Sequence, residues 1–222
     1  MDAGGPLDGF SELSDFIGGL GWGRKDGAVH CLRRHPKKGV ISKRIKVDDV
    51  VEVREGWLIV RRSKHLFSPC GYVDARCRMV VAPDDLVVCE PFDETGLAYV
   101  ERLTKERCMA GGSRPECAHK FAASLIDSAG MGVTEEYDVL EPLSGGLWRA
   151  GRFETGSRGS RSWRIGLLDP GVRDGGRAKV LLPLEYEALE DAGEGWFKVT
   201  VPAGKQLRQP GGRVLSLPPP MR

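Results

Sequence analysis

The chain has 222 residues, of which 41% are hydrophobic, and its formal net charge is +2 at pH 7. A chain of this length and apolar content can bury a core in one large or two modest domains. No apolar run approaches the roughly 18 to 20 residues of a membrane helix, so no membrane span is expected. The start, MDAGGPLDGF, lacks the basic segment of a signal peptide, which predicts a cytoplasmic protein, with a nuclear location left open.

The six cysteines, at positions 31, 70, 77, 89, 108 and 117, form no compact framework. Without a secretory context, reduced thiols are expected. Metal binding is the rival interpretation, but no CxxC pair is present to place two thiolates at one tetrahedral site, so no metal is expected. The chain also lacks a Gly-rich phosphate loop, a GxSxG elbow and an HExxH motif, and we expect no cofactor.

The small net charge conceals a segregation of charge along the chain. Residues 24–65 contain thirteen Lys and Arg against five Asp and Glu, whereas residues 83–142 contain five against thirteen. The basic segment suits phosphate binding through counterion release, and its candidate contacts are Arg33, Arg34, Lys37, Lys38, Lys43 and Arg44. The alternative is a solvated surface whose field the acidic segment partly cancels.

At the N-terminus, residues 1–23 predict an amphipathic segment. Its apolar residues, Phe10, Leu13, Phe16, Ile17 and Leu20, recur at helical spacing. Such a segment either covers the core of its own chain or docks into the groove of a partner, and we favour the first because a free apolar stripe lowers solubility.

Residues 28–90 predict mostly β-structure. In GVISKRIKVDDVVEVREGWLIVRR, apolar and polar residues alternate, which in an extended chain turns one face to a core and the other to water. REG supplies a turn before Trp57, and GYVDARCRMVV and DDLVVCEPF predict two further strands.

Residues 93–129 change period and predict a pair of helices. In the first, Leu97, Val100 and Leu103 share one stripe; the second begins at Pro115 after Ser113 and ends at Gly130. From Thr134 the strand pattern returns. The sequence therefore predicts an α+β fold: an N-terminal segment (1–23), an α+β domain (24–131) and an all-β, barrel-like domain (134–222).

Three segments share a Glu-rich strand, a turn and a Trp-bearing strand, and they resemble Src-homology-3-like barrels. The shared positions include Trp57 with Gly71, Trp148 with Gly166, and Trp196 with Gly212. The resemblance implies three hairpins in which Trp57, Trp148 and Trp196 are either core anchors or groove residues for a partner. The ALYDY cluster of that family is absent, so a proline-rich ligand is not implied.

Residues 47–130 also resemble the lecithin:retinol acyltransferase (H-box/NC) family, which has a papain-like fold. The shared order is strand, Gly-Trp strand, GYV strand, helix, and then Cys117 at a helix start. The resemblance implies Cys117 as nucleophile, followed by His119. Where the family has its base histidine this chain has Gly56, and Glu116 replaces the asparagine before the cysteine, so the resemblance also fits an inactive relative.

Taken together, these patterns predict a non-enzymatic adaptor that engages protein partners through barrel-like surfaces, which suits a viral or accessory factor. Two alternatives remain open. One is a thiol acyltransferase or hydrolase centred on Cys117, and the other is a nucleic-acid-binding protein that uses the basic face of residues 24–65.

Overall fold

A computed structural model describes residues 7–65, 68–109, 116–155, 161–174 and 176–216, without the side chains of 105–109, 116–120, 155, 161, 174 and 216. The chain forms two compact units. Unit 1 comprises Met1–Leu103 and Ile126–Met131, and unit 2 comprises Thr104–Leu125 and Gly132–Arg222.

Eighteen strands lie within the described residues, and they form four antiparallel sheets. The first sheet contains β1 (Glu12–Leu13), β2 (Leu20–Lys25), β3 (Ala28–His35) and β4 (Gly39–Arg44). The second contains β5 (Asp49–Arg54), β6 (Trp57–Arg61), β7 (Cys70–Asp74), β8 (Met79–Cys89), β9 (Leu97–Met109) and β10 (Glu116–Asp127). In all four sheets, neighbouring strands are also consecutive in the chain.

The third sheet contains β11 (Val139–Pro142), β12 (Trp148–Thr155), β13 (Arg161–Asp174) and β14 (Arg177–Tyr186). The fourth contains β15 (Ala188–Gly193), β16 (Trp196–Val201), β17 (Gly204–Arg208) and β18 (Val214–Ser216). A 3-10 turn, Ser144–Gly146, joins β11 to β12.

The predicted α+β fold class is wrong, because no α-helix occurs among the residues that the structure describes. The two predicted helices are the long strands β9 and β10. In β9 the adjacent residues Leu97 and Ala98 are both buried, while Leu103, on the predicted helical stripe, is 44% exposed. Short apolar runs fit a strand covered on both faces as well as a helix, and the pairing of β9 with β8 decides between them.

The second predicted helix fails for the same reason. Its predicted inward residue Phe121 is 41% exposed, whereas the adjacent Ala122 and Ala123 are both buried. Gly130 follows a strand and not a helix: its N–H donates to the Asp127 carbonyl oxygen at 2.8 Å in a tight turn. The predicted start at Ser113 and Pro115 lies outside the described residues.

The described part of the N-terminal segment, residues 7–23, is also not helical. It runs antiparallel to β2, where the N–H of Ser11 donates to the Arg24 carbonyl at 2.8 Å and that of Ser14 donates to the Trp22 carbonyl at 2.9 Å. Phe10 lies edge-on to the His30 ring, with centroids 5.5 Å apart. This part of the segment thus forms an edge of its own first sheet.

The core of unit 1 lies between its two sheets and is closed by disulfide bonds. The buried residues Leu20, Val29, Leu58, Val60 and Val73 form one cluster, with Cys31 and Cys77 among them. Cys31 is bonded to Cys77, and Cys70 is bonded to Cys89. The prediction of reduced thiols is wrong for these four cysteines, because partners 46 and 19 residues apart show no spacing signature in the sequence.

Unit 2 has its own core between the third and fourth sheets. It contains Leu167, Leu182, Tyr186, Leu189, Phe197 and Val199. Gly166 lets β13 pass close to β14, since a methyl group there would lie 2.7 Å from the Leu182 carbonyl oxygen. Gly71 plays the same part in unit 1, where a methyl group would lie 2.2 Å from the Val81 carbonyl oxygen. Both glycines sit at register shifts, where one strand bends across the next.

We expect the Cys31→Ala/Cys77→Ala double variant to lose about 3 to 4 kcal/mol of unfolding free energy, because a closed loop of this length removes entropy from the unfolded chain. Urea titration of wild type and variant measures the loss. Cys70→Ala/Cys89→Ala, which opens a shorter loop, should lose slightly less. Labelling of Cys31, Cys70, Cys77 and Cys89 by maleimide in denaturant without a reductant would contradict the pairing.

Candidate functional site

The strongest candidate site is the basic hairpin, defined by Arg33, Arg34, Lys37, Lys38, Lys43 and Arg44 on β3, β4 and the turn between them. The turn is fixed by His35, whose Nδ1 accepts from the backbone N–H groups of Lys37 and Lys38, each at 3.2 Å. Gly39, with φ of 70°, ends the turn and starts β4. Local hydrogen bonds therefore present both lysines at the tip.

The cations of the basic hairpin have no carboxylate partner among the described residues. Five of the six are exposed, Arg33 is half-buried, and none lies within 4 Å of an Asp or Glu oxygen in the described part of the chain. Arg34 instead stacks on the Phe16 ring, 4.9 Å from its centroid. The described residues of unit 1 therefore leave the positive charge of this surface unneutralised.

Other cations of the chain do form ion pairs with carboxylates. Those of unit 1 are Arg24, Arg54, Arg62 and Arg78. Those of unit 2 are Arg149, Arg152, Arg164, Arg177 and Lys198. Surface cations of this chain can therefore form ion pairs with carboxylates. The cations of the basic hairpin form none within the described residues.

His30 lies among the charged residues of the basic hairpin, and its pKa is shifted there. Its Nδ1 lies 2.9 Å from the Ser42 hydroxyl, and its cross-strand partner is Arg44. Partial burial, and then the charges of Arg44 and Lys25, lower the pKa of His30, while Asp26 opposes them. The imidazole is therefore neutral at pH 7, and the positive charge of the surface comes from Lys and Arg.

A groove of about 500 Å³ continues the basic surface beyond β4. Its charged lining residues are Arg44, Lys46, Asp26 and Asp48. These carboxylates lie beside the cations but beyond ion-pair distance, so the groove is polar and open and does not form an enclosed pocket.

The three tryptophans predicted to be anchors or groove residues begin equivalent strands. Trp57, Trp148 and Trp196 are the first residues of β6, β12 and β16, each the second strand of a hairpin, and each is half-buried. They lie in three different sheets. Trp57 packs against Phe92, with centroids 4.4 Å apart, so it supports the core of unit 1.

The predicted nucleophile does not have the predicted setting. Cys117 and His119 belong to strand β10, so the helix start at which the resemblance places Cys117 is wrong. The side chains of both residues are outside the described part of the chain. Gly56, at the family's base position, is a turn residue with φ of 82°.

Sequence reasoning missed an exposed aromatic pair on unit 2. Phe153 on β12 and Trp163 on β13 are direct cross-strand partners with ring centroids 5.0 Å apart, and they are 38% and 37% exposed. Their adjacency depends on the register of the hairpin, which the polar sequence between the two strands does not specify.

No protein-family model matches this chain, and a search among curated proteins found no match. Within the residues that the structure describes, no three His, Cys, Asp or Glu side chains are grouped to hold a metal ion. In the same residues, no helix has the length and hydropathy needed to cross a membrane.

We expect Arg44→Gln to raise the pKa of His30 toward its ordinary value, because one of the charges that oppose protonation is removed. A pKa lowered by folding means that the unfolded chain binds the proton more tightly. The stability of the protein therefore falls as the pH drops below about 6.5. This loss of stability should be smaller in the variant. NMR titration of the imidazole measures the shift. Arg33→Gln, at a residue that does not contribute to the shift, is the control and should leave the His30 titration unchanged.

Proposed function

We propose that this protein is a non-enzymatic binding protein that holds the phosphate backbone of a nucleic acid on the basic hairpin. The observation that carries the proposal is that the six cations of this surface lack a carboxylate partner among the described residues, although paired cations occur elsewhere in both units. A cluster of unneutralised Lys and Arg side chains is the electrostatic requirement for phosphate binding.

Protection of a sheet edge explains only part of this surface. Lysines on an edge strand prevent edge-to-edge aggregation, and β4 is an edge strand of the first sheet. Arg33 and Arg34, however, lie on the inner strand β3, and Lys37 and Lys38 lie in the turn. The charge therefore extends across the hairpin and its tip, as a polyanion contact requires.

The aromatic rings near the hairpin indicate whether a nucleic acid would be held by its phosphates alone or also by stacking of its bases. Beside the hairpin, the Arg34 guanidinium lies over the Phe16 ring and the Lys25 ammonium over the Phe10 ring, so a base that stacked on either ring would compete with a cation. Binding through phosphates without base stacking favours a duplex and little sequence preference.

The disulfides bear on where this function takes place. Disulfide bonds persist in oxidising compartments and are rare in the cytosol. The bonds Cys31–Cys77 and Cys70–Cys89 therefore favour an oxidising location over the cytoplasmic or nuclear one expected from the sequence, and we include such a location in the proposal.

The test is the salt dependence of binding to a fluorescein-labelled DNA duplex, followed by anisotropy between about 50 and 200 mM salt. We expect log K to fall linearly with log salt. Lys37→Gln/Lys38→Gln/Lys43→Gln should make the slope shallower by about 0.9 for each phosphate that the variant no longer neutralises. The control, Lys179→Gln/Lys198→Gln/Lys205→Gln in unit 2, removes the same charge and should keep the wild-type slope.

A slope that is flat in wild type, or equally reduced in both triple variants, would contradict a localised phosphate site. Poly-glutamate is the competing probe. If it binds as tightly as the duplex and depends on the same three lysines, the hairpin recognises acidic protein surfaces, and the nucleic-acid proposal fails.

A second candidate is the adaptor role, which the pair of exposed aromatics on unit 2 favours. Exposed aromatic side chains are enriched at protein interfaces. Phe153 and Trp163 present two adjacent rings on one sheet face, which single scattered apolar residues do not.

We expect Phe153→Ser/Trp163→Ser to abolish capture of protein partners while costing only about 1 kcal/mol of stability, because both rings are already partly exposed. Capture from lysate with immobilised protein, together with urea titration, measures both effects. Val214→Ser/Leu215→Ser, at exposed apolar residues of β18, is the matched control. Partners captured equally by both variants would contradict this role.

A further inference from the structure

A second charged surface lies wholly within unit 2, in a groove of about 310 Å³. Residues 133–137 form one wall, and strands β12, β13 and β14 form the other. The charged side chains that line the groove are Glu135, Glu154, Arg152, Arg164 and Arg177. A cavity of this volume matches the lower end of small-molecule sites in proteins.

The charged side chains that line this groove carry an excess of positive charge. Glu135 is shared by two arginines: its Oε1 lies 3.3 Å from Arg177, and its Oε2 pairs with Arg152. Arg164 pairs with Glu154 at 3.2 Å. Three guanidinium groups thus face two carboxylates among the described lining residues, and the excess positive charge lies where Arg152 and Arg177 share Glu135.

The sheet beneath the groove places like charges opposite each other. Arg152 on β12 and Arg164 on β13 are direct cross-strand partners, an arrangement that costs stability. Violations of such local rules are expected at functional sites, where a ligand compensates them. An anion bound here would relieve the repulsion.

The walls of the groove are held in place before any ligand binds. The Ala178 N–H donates to the Val133 carbonyl at 2.7 Å, which ties β14 to the opposite wall. Tyr137 and Ala123 exchange two backbone hydrogen bonds of 2.8 Å. The Arg152 guanidinium is held over the Tyr137 ring, 5.1 Å from its centroid. Binding therefore orders few groups, which favours affinity.

We propose that this groove binds a small organic anion, with its carboxylate or phosphate group between Arg152 and Arg177 and its apolar part against Val133, Val180 and Leu184. Guanidinium forks match the oxygens of both anionic groups. Arg177 is 64% exposed, and an exposed ion pair is weak, so a ligand competes readily with Glu135 for it. The apolar wall selects an organic anion over an inorganic one.

The experiment is isothermal titration calorimetry of the full chain with phenyl phosphate, benzoate and inorganic phosphate, and with phenol as the uncharged control. We expect saturable binding of phenyl phosphate or benzoate, with weaker binding of inorganic phosphate and none of phenol. The tighter of the two organic anions decides between a phosphate ester and a carboxylate.

Two variants should shift the affinity in opposite directions. Arg177→Gln should weaken binding about tenfold, because it removes a charged hydrogen bond to the anion. Glu135→Gln should tighten binding several-fold, because the competing carboxylate is removed. Arg177→Lys keeps the charge without the fork and should fall between wild type and Arg177→Gln. Arg149→Gln, which breaks an ion pair with Glu141 away from the groove, is the control and should bind as wild type.

Absence of saturable binding by both organic anions, or a weaker affinity in Glu135→Gln with folding intact by thermal unfolding, would overturn the proposal. The Lys37→Gln/Lys38→Gln/Lys43→Gln variant separates this site from the basic hairpin. It should bind the organic anion as wild type does, whatever its effect on the DNA duplex.

Discussion

Antiparallel hydrogen bonding between consecutive strands is the constraint on which the rest of this structure depends. Buried backbone N–H and C=O groups must be paired, and here each strand finds its partners in the strands just before and after it. This pairing turns the apolar runs of residues 93–129 into β9 and β10. It also places the cations of β3 and β4 on one hairpin, and it sets Arg152 opposite Arg164.

Pairing of consecutive strands produces small sheets, and small sheets need further closure. In unit 1 the disulfides Cys31–Cys77 and Cys70–Cys89 supply it, each joining positions that are distant in sequence but adjacent in the fold. In both units a glycine, Gly71 or Gly166, lets one strand cross another without a side chain between them. The chain combines covalent links and close backbone contacts with two modest apolar cores.

Surface cations form ion pairs in both units, among them Arg24, Arg62 and Arg78 in unit 1, but those of the basic hairpin form none within the described residues. Unit 2 pairs its arginines with glutamates across neighbouring strands, and in its groove three guanidinium groups share two carboxylates. Unit 1 leaves its basic hairpin without carboxylate partners in the described residues. The cations of the basic hairpin are unpaired, so this surface suits an extended polyanion. The positive and negative charges of the groove nearly cancel, so the groove suits a single small anion, because only the excess charge is available to a ligand.

Residues 28–90 show how far the sequence by itself determined this protein. Apolar alternation predicted strands across this segment, and the repeated pattern of strand, turn and Trp-bearing strand predicted hairpins at Trp57, Trp148 and Trp196. The distribution of charge placed the basic hairpin within residues 24–65. These features were predictable because they are local: side-chain periodicity and turn residues act over a few positions.

Only the tertiary structure decided the rest. Residues 97–109 and 116–127 became strands because pairing with neighbouring strands outweighed an ambiguous period. The bonds of Cys31 and Cys70, the lack of described carboxylates near Lys37 and Lys43, and the shared partner of Arg152 and Arg177 depend on which distant residues meet. The physical reason is that disulfides, ion pairs and cross-strand contacts form between residues tens of positions apart, and the order of amino acids along the chain does not specify that proximity.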